Sequence, residues 1–149
     1  MKLAIILAAT AALTFAQANW PTYSGAYNGW RHSQLDQINK SNVDKLKVAW
    51  VYQMPVTERI ETTPIVIDGI MYLSEPPSNV VALDAETGRP YWRYRRNLPE
   101  KINVCCGQVN RGVAVSGDRV FVGTVDAHLV TPEFSMSVVW FGFISLNRF

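Results

Sequence analysis

An internal repeat without a gap constrains this chain more than any other feature. Displaced by 49 positions, residues 66–81 (VIDGIMYLSEPPSNVV) fall on residues 115–130 (VSGDRVFVGTVDAHLV). Val66 lies over Val115, Met71 over Val120, Tyr72 over Phe121, Leu73 over Val122, and Val80-Val81 over Leu129-Val130. Each copy reads as an apolar strand, a Gly/Asp turn, a second apolar strand, a polar loop and a short third strand. In the first copy the turn is Asp68-Gly69, a two-residue hairpin connection favoured because Gly accepts positive φ. Units of roughly 40–50 residues holding several short strands are the signature of propeller blades. Two unrelated hairpins are the competing explanation, and the ungapped match weighs against it.

The first copy runs on into ALDAETGRPYWRY (82–94), where Asp84 and Thr87-Gly88 form a turn and Trp92 opens a further strand with Arg93 and Tyr94. The segment KVAWVYQ (47–53) ends in the same way, with Trp50 and Tyr52 at the spacing of Trp92 and Tyr94. One unit therefore closes with a strand at 47–53, a second ends near 95 and a third begins near 112. Ser41 with Asp44 three residues later reads as a capping box for a short N-terminal helix. Trp20 and Trp30 read as packing residues of the N-terminal segment, and His32 and His128 are too far apart in sequence to suggest a metal pair.

The chain starts MKLAIILAATAALTFAQA: one Lys, an apolar run from Leu3 to Phe15, and Ala16-Gln17-Ala18 ahead of Asn19. Residues 1–18 read as a cleaved secretory signal peptide, the run being short for a span of about 20 residues. The mature protein then occupies an oxidising compartment where disulfides persist. Loss of Lys2 lowers the formal charge from +2 to +1, and no basic run favours a nucleic-acid partner. After Val130 the repeat stops. TPEFSMS stands where the first copy has ALDAETG, followed by VVWFGFISLNRF, so residues 131–149 read as an unrelated tail on a truncated chain, as a frameshift produces. A hydrophobic tail covering a sheet edge is the other reading. Blades without their neighbours expose edges, so such a piece is expected to be marginal or prone to aggregate.

The chain's two cysteines, Cys105 and Cys106, are adjacent within NVCCGQVNRG. Neighbouring Cα atoms stand about 3.8 Å apart, whereas disulfides prefer roughly 4.4–6.8 Å. A bridge here closes a strained ring and is a poor staple. Two free thiols, pairing with another chain, and a functional ring all stay open on the residues alone.

Residues 19–130 resemble the opening of the pyrroloquinoline quinone (PQQ)-dependent alcohol dehydrogenases, the periplasmic methanol/ethanol dehydrogenase family. The stretches NWPTYSGAYNGWRHSQLDQINKSNVDKLKVAW (19–50), ETTPIVIDGIMYL (61–73), ALDAETGRPYW (82–92), CCGQVNRGVAV (105–115) and GDRVFVGTVDAHLV (117–130) carry the likeness. It implies an all-β fold, the N-terminal blades of an eight-bladed β-propeller with tryptophan-docking motifs. In that motif, similar to 82–92, each Trp packs on a neighbouring blade, a role shared by non-catalytic propellers. The resemblance implies that Cys105 and Cys106 form a vicinal disulfide lying against one face of the quinone. It implies also that Arg111 contacts the cofactor, whose three carboxylates suit a guanidinium fork. Glu61, in IETTP, matches a glutamate at the cofactor pocket. Beside a tricarboxylate it must hydrogen-bond through a proton or through Arg111.

The likeness further implies oxidation of a primary alcohol to an aldehyde, with hydride passing to PQQ and electrons to a cytochrome c. A calcium or lanthanide ion and a general-base aspartate assist the reaction in the family. No metal ligand and no catalytic residue is assignable here, so the 149 residues alone are expected to bind PQQ weakly and to turn over no alcohol. A small alcohol and a cytochrome c are the implied partners, and a homo-oligomer stays open. Two alternatives remain. A non-catalytic periplasmic scaffold of outer-membrane assembly needs neither the cysteine pair nor Arg111. A PQQ-dependent sugar or polyol dehydrogenase shares the cofactor and differs in its substrate pocket.

Overall fold

The computed structural model describes residues 19–56 and 59–132. The expected signal peptide and residues 133–149 of the expected tail lie outside the described residues. Among the described residues, seven strands and one 3-10 turn make up the regular structure. Strands β1 (Ile65–Ile67), β2 (Ile70–Glu75), β3 (Asn79–Asp84) and β4 (Pro90–Tyr94) form a four-stranded antiparallel meander. A second sheet holds β5 (Ala114–Ser116), β6 (Arg119–Gly123) and β7 (Leu129–Val130), again in sequence order.

The repeat is exact down to register. Ile65 pairs with Tyr72 and Val66 with Met71 in the first sheet; Ala114 pairs with Phe121 and Val115 with Val120 in the second. Leu73 faces Val81 as Val122 faces Val130. The two tight turns solve the same problem with opposite residue orders. Asp68 and Gly69 both take positive φ (48° and 80°), as a type I′ turn requires, whereas in the second sheet Gly117 at φ 57° comes first, as in type II′.

Strand β3 is buried on both faces, with Val80, Val81, Ala82 and Leu83 all at 0% exposure, hence its unbroken apolar run. On one side Tyr72, Val80 and Ala82 meet Val120 and Val122 of the second sheet, with Trp92 and Tyr94 packed against the same cluster. On the other side Leu73, Val81 and Leu83 meet Trp50, Tyr52 and Met54. The described residues are therefore layered as blades. Trp50 lies on the turn at Gly88: a Cβ there would stand 2.4 Å from the indole, and the indole N–H donates to Ala85 O at 3.3 Å. Asp84 shapes that turn by accepting from the amides of Glu86 and Thr87, both at 2.9 Å.

Three local expectations need correction. Residues 47–53 form no strand. Trp50, Tyr52 and Met54 are half-buried and Val51 and Gln53 exposed, so the period of two is present, but no described strand offers a ladder to this segment. It is held by side chains instead. Tyr52 donates to Glu75 Oε1 at 2.7 Å, and the nearly buried Glu75 pairs with Arg93 at 3.0 Å. Burial, then the Glu75 carboxylate, raises the Tyr52 pKa. The N-terminal helix shrinks to a 3-10 turn, Val43–Lys45, without a Ser41 cap, because Ser41 turns back to Asn39 Oδ1 (2.6 Å). Trp20 does pack, bridging Val66 through paired backbone bonds of 2.7 and 3.0 Å, whereas Trp30 is 76% exposed.

Candidate functional site

The repeat itself brings the candidate residues together. Glu61 lies just before β1 and Arg111 just before β5, so equivalent ends of successive blades place them side by side. Thr63 N donates to Arg111 O at 3.0 Å, Ser74 N to Thr62 Oγ1 at 3.1 Å, and Ser74 Oγ to Asn110 O at 3.3 Å. Asn110, 8% exposed, completes the tie: its Nδ2 donates to Gly123 O at 2.6 Å and its Oδ1 accepts from Gly112 N at 3.1 Å. A buried amide with both ends bonded is costly to displace. Asn110 thus fixes the backbone from which Arg111 projects.

Arg111 Nε donates to Glu61 Oε2 at 3.2 Å, the second of the two arrangements open to Glu61. Arg59 Nη1 stands 3.7 Å from the other carboxylate oxygen. The Arg111 side chain is 82% exposed and that of Glu61 28%, so this pair is screened and contributes little to stability. Cys105 and Cys106 are exposed thiols whose sulfurs stand 2.7 Å apart, closer than ordinary non-bonded sulfur contact and longer than the roughly 2.03–2.05 Å of a disulfide. The partner sulfur raises the Cys106 pKa most, lost hydration and Glu61 raise it further, and Arg111 opposes them. Both cysteines, with Gly107, Gln108, Val109 and Arg59, line an open cleft of about 450 Å³.

All four residues expected at the site, Glu61, Cys105, Cys106 and Arg111, therefore lie in one neighbourhood. The sequence did not single out Arg59, which lies on no motif, or Gln108 and Asn110, although both stand inside NVCCGQVNRG. Nor did it flag the link between sheets formed by Arg96 and Asp126 at 2.8 Å. Arg96 and Thr124 hold the Asp126 pKa down at about 2. His128 stands by the same carboxylate at 3.2 Å, far in role from His32, which is exposed. No group of three or more metal-ligating side chains occurs among the described residues.

Comparison with known proteins shows the family. Residues 20–135 match the family model described as PQQ: glucose/ethanol/alcohol dehydrogenase, β-propeller domain. The chain is 44% identical over 114 residues to the dehydrogenase subunit of the quinone alcohol dehydrogenase of Gluconacetobacter polyoxogenes, covering 75% of this chain and 15% of that protein. It is 42% identical over 117 residues to the 1-butanol dehydrogenase (cytochrome c) of Thauera butanivorans, covering 77% and 17%. The crystal structure of quinohemoprotein alcohol dehydrogenase from Comamonas testosteroni superposes with a TM-score of 0.73 at 41% identity, over 78% of this chain and 18% of that one. A europium-containing methanol dehydrogenase gives a TM-score of 0.69 at 30% identity, over 76% and 21%. The chain thus spans about a sixth of the length of the relatives it matches.

Proposed function

This chain belongs to the β-propeller family of PQQ-dependent glucose, ethanol and alcohol dehydrogenases, and from that membership we propose that it supplies one wall of a PQQ site. The observation that carries the reading is that two adjacent sulfurs line an open cleft while a glutamate-braced arginine lies within electrostatic reach of Cys106. The residues fit the group. Arg111 spends only Nε on Glu61, leaving both Nη atoms unpaired among the described residues to fork onto a carboxylate. Glu61 fixes the azimuth of that fork. Cys105 and Cys106, joined as a vicinal disulfide in the oxidised protein, present a polarizable surface to a flat ring. When bound, PQQ supplies a two-electron acceptor for a primary alcohol.

Alcohol oxidation is an activity of the whole protein, with calcium or a lanthanide ion as the metal and a cytochrome c as electron acceptor. The names of the butanol dehydrogenase and the europium enzyme support these two partners. The residues assigned here hold ligand, and none takes a proton from a substrate hydroxyl, so the 149 residues alone turn over no alcohol on this reading. The leader-like sequence of residues 1–18 supports export to the periplasm. Mass spectrometry of an unreduced digest tests the assignment. A peptide with an intact 105–106 bridge is expected; free thiols in aerobically purified protein would overturn it in favour of a non-catalytic propeller scaffold.

A further inference from the structure

Arg59 stands in the cleft with no task in the fold. Its side chain is 73% exposed and, among the described residues, joins neither apolar cluster and pairs with Glu61 alone, at 3.7 Å. An isolated exposed arginine is ordinarily a solvated charge. Three observations set this one apart. It lines the same cleft as both sulfurs. It approaches Oε1 of Glu61 while Arg111 takes Oε2, so one carboxylate spaces two guanidinium groups. And the trio carries a net charge of +1 within electrostatic reach of Cys106, with the remaining N–H donors of both arginines unpaired among the described residues.

We propose that Arg59 is a second anion-gripping residue of this cleft, selecting, with Arg111, a flat ligand that carries carboxylates at its edge. The inference rests on the cofactor reading above and adds to it a residue outside every motif of the chain. Exposed as it is, Arg59 is screened by solvent until a ligand binds. A ring lying over the sulfurs displaces that water, and a carboxylate facing Arg59 then gains a charge-assisted bond. Glu61 prevents the two cations from repelling each other before the ligand arrives.

Reactivity of the reduced cysteines reports the field directly. The full chain, reduced and freed of reductant, is treated with an anionic aromatic disulfide bearing carboxylates and, separately, with a neutral pyridyl disulfide. In each case a Cys thiolate displaces one half of the reagent, forming a mixed disulfide and releasing the other half as thiolate. R59Q is expected to slow the anionic reagent roughly threefold at low salt and to leave the neutral one unchanged, with R59K close to wild type. Protection of the thiols by added PQQ is expected to need roughly tenfold more PQQ in R59Q, the loss of one charge-assisted bond. R59K falls between, because an ammonium cannot fork.

Wild-type rates with both reagents in R59Q, alongside a slowed anionic reaction in R111Q, overturn the role of Arg59 and leave the cofactor reading standing. Reagent selectivity in R59Q without any PQQ protection in wild type retains an anion-gripping Arg59 and removes PQQ as its ligand. A uniform change with both reagents marks a structural effect of the substitution and overturns the proposal.

Discussion

Replacement of Gly88 by Ala tests how blades are joined in this chain. Gly88 holds φ at +72°, and a Cβ there would stand 2.4 Å from Trp50 Cε3 and 2.5 Å from Cδ2. The left-handed backbone alone costs a non-glycine residue roughly 1–2 kcal/mol. The larger effect is steric, since the neighbour is a ring whose N–H is anchored on Ala85 O. Displacing Trp50 forfeits its packing on Leu73, Val81 and Leu83. Removing a fully buried Trp costs about 3–5 kcal/mol, and this half-buried one about 2–3. G88A should therefore cost about 3–5 kcal/mol and W50A about 2–3. In the double variant no ring remains to collide with the methyl group. Its cost should be about 3–5 kcal/mol, against about 5–8 for independent sites, a coupling of about 2–3 kcal/mol and well beyond ordinary additivity error. Urea unfolding followed by far-UV circular dichroism, with sucrose added so that the weakest variant starts folded, measures all four corners. Costs that add to within about 0.5 kcal/mol would refute the docking of Trp50 on the Gly88 turn.

Three further outcomes are expected. E75Q leaves Arg93 buried beside a neutral amide and weakens the Tyr52 contact, so it should lower stability by about 3 kcal/mol, the low end for a broken buried pair because Arg93 is a quarter exposed; the urea midpoint reads this. N110A strands Gly123 O and Gly112 N, costing about 1–3 kcal/mol, and hydrogen exchange at the Gly112 amide should quicken before that of β2. Asp126 has a folded pKa of about 2 against an ordinary 3.8, so its contribution is complete above about pH 4 and disappears as pH falls towards 2. Acid unfolding of D126N should lack that part of the slope; an unchanged slope would show that the Arg96 link does not act in solution.

The parts of the structure legible in the sequence were those carried by local pattern. The offset between Val66 and Val115 gave strands, turn positions and, as it proved, the pairing register, because a hairpin's register follows from its turn and the alternation around it. Glu61, Cys105, Cys106 and Arg111 stood out through motif. The misses share one cause. Residues 47–53 alternate as a strand does, but a ladder needs a partner backbone, which alternation within one segment cannot specify. Ser41 and Asp44 satisfy a capping pattern, yet Asn39 and Asn42 bond locally and win the turn.

By itself the sequence determined the blade repeat, its turns and the adjacency of two sulfurs, since each is fixed by neighbours along the chain. The tertiary structure decided what those pieces meet. Glu61 accepts from an arginine fifty residues away, Trp50 rests on Gly88, and Arg59 shares a cleft with Cys105 and Cys106. Such contacts depend on how one blade stacks on the next, and stacking depends on the combined shape of faces contributed by separate segments. No local signal encodes that sum.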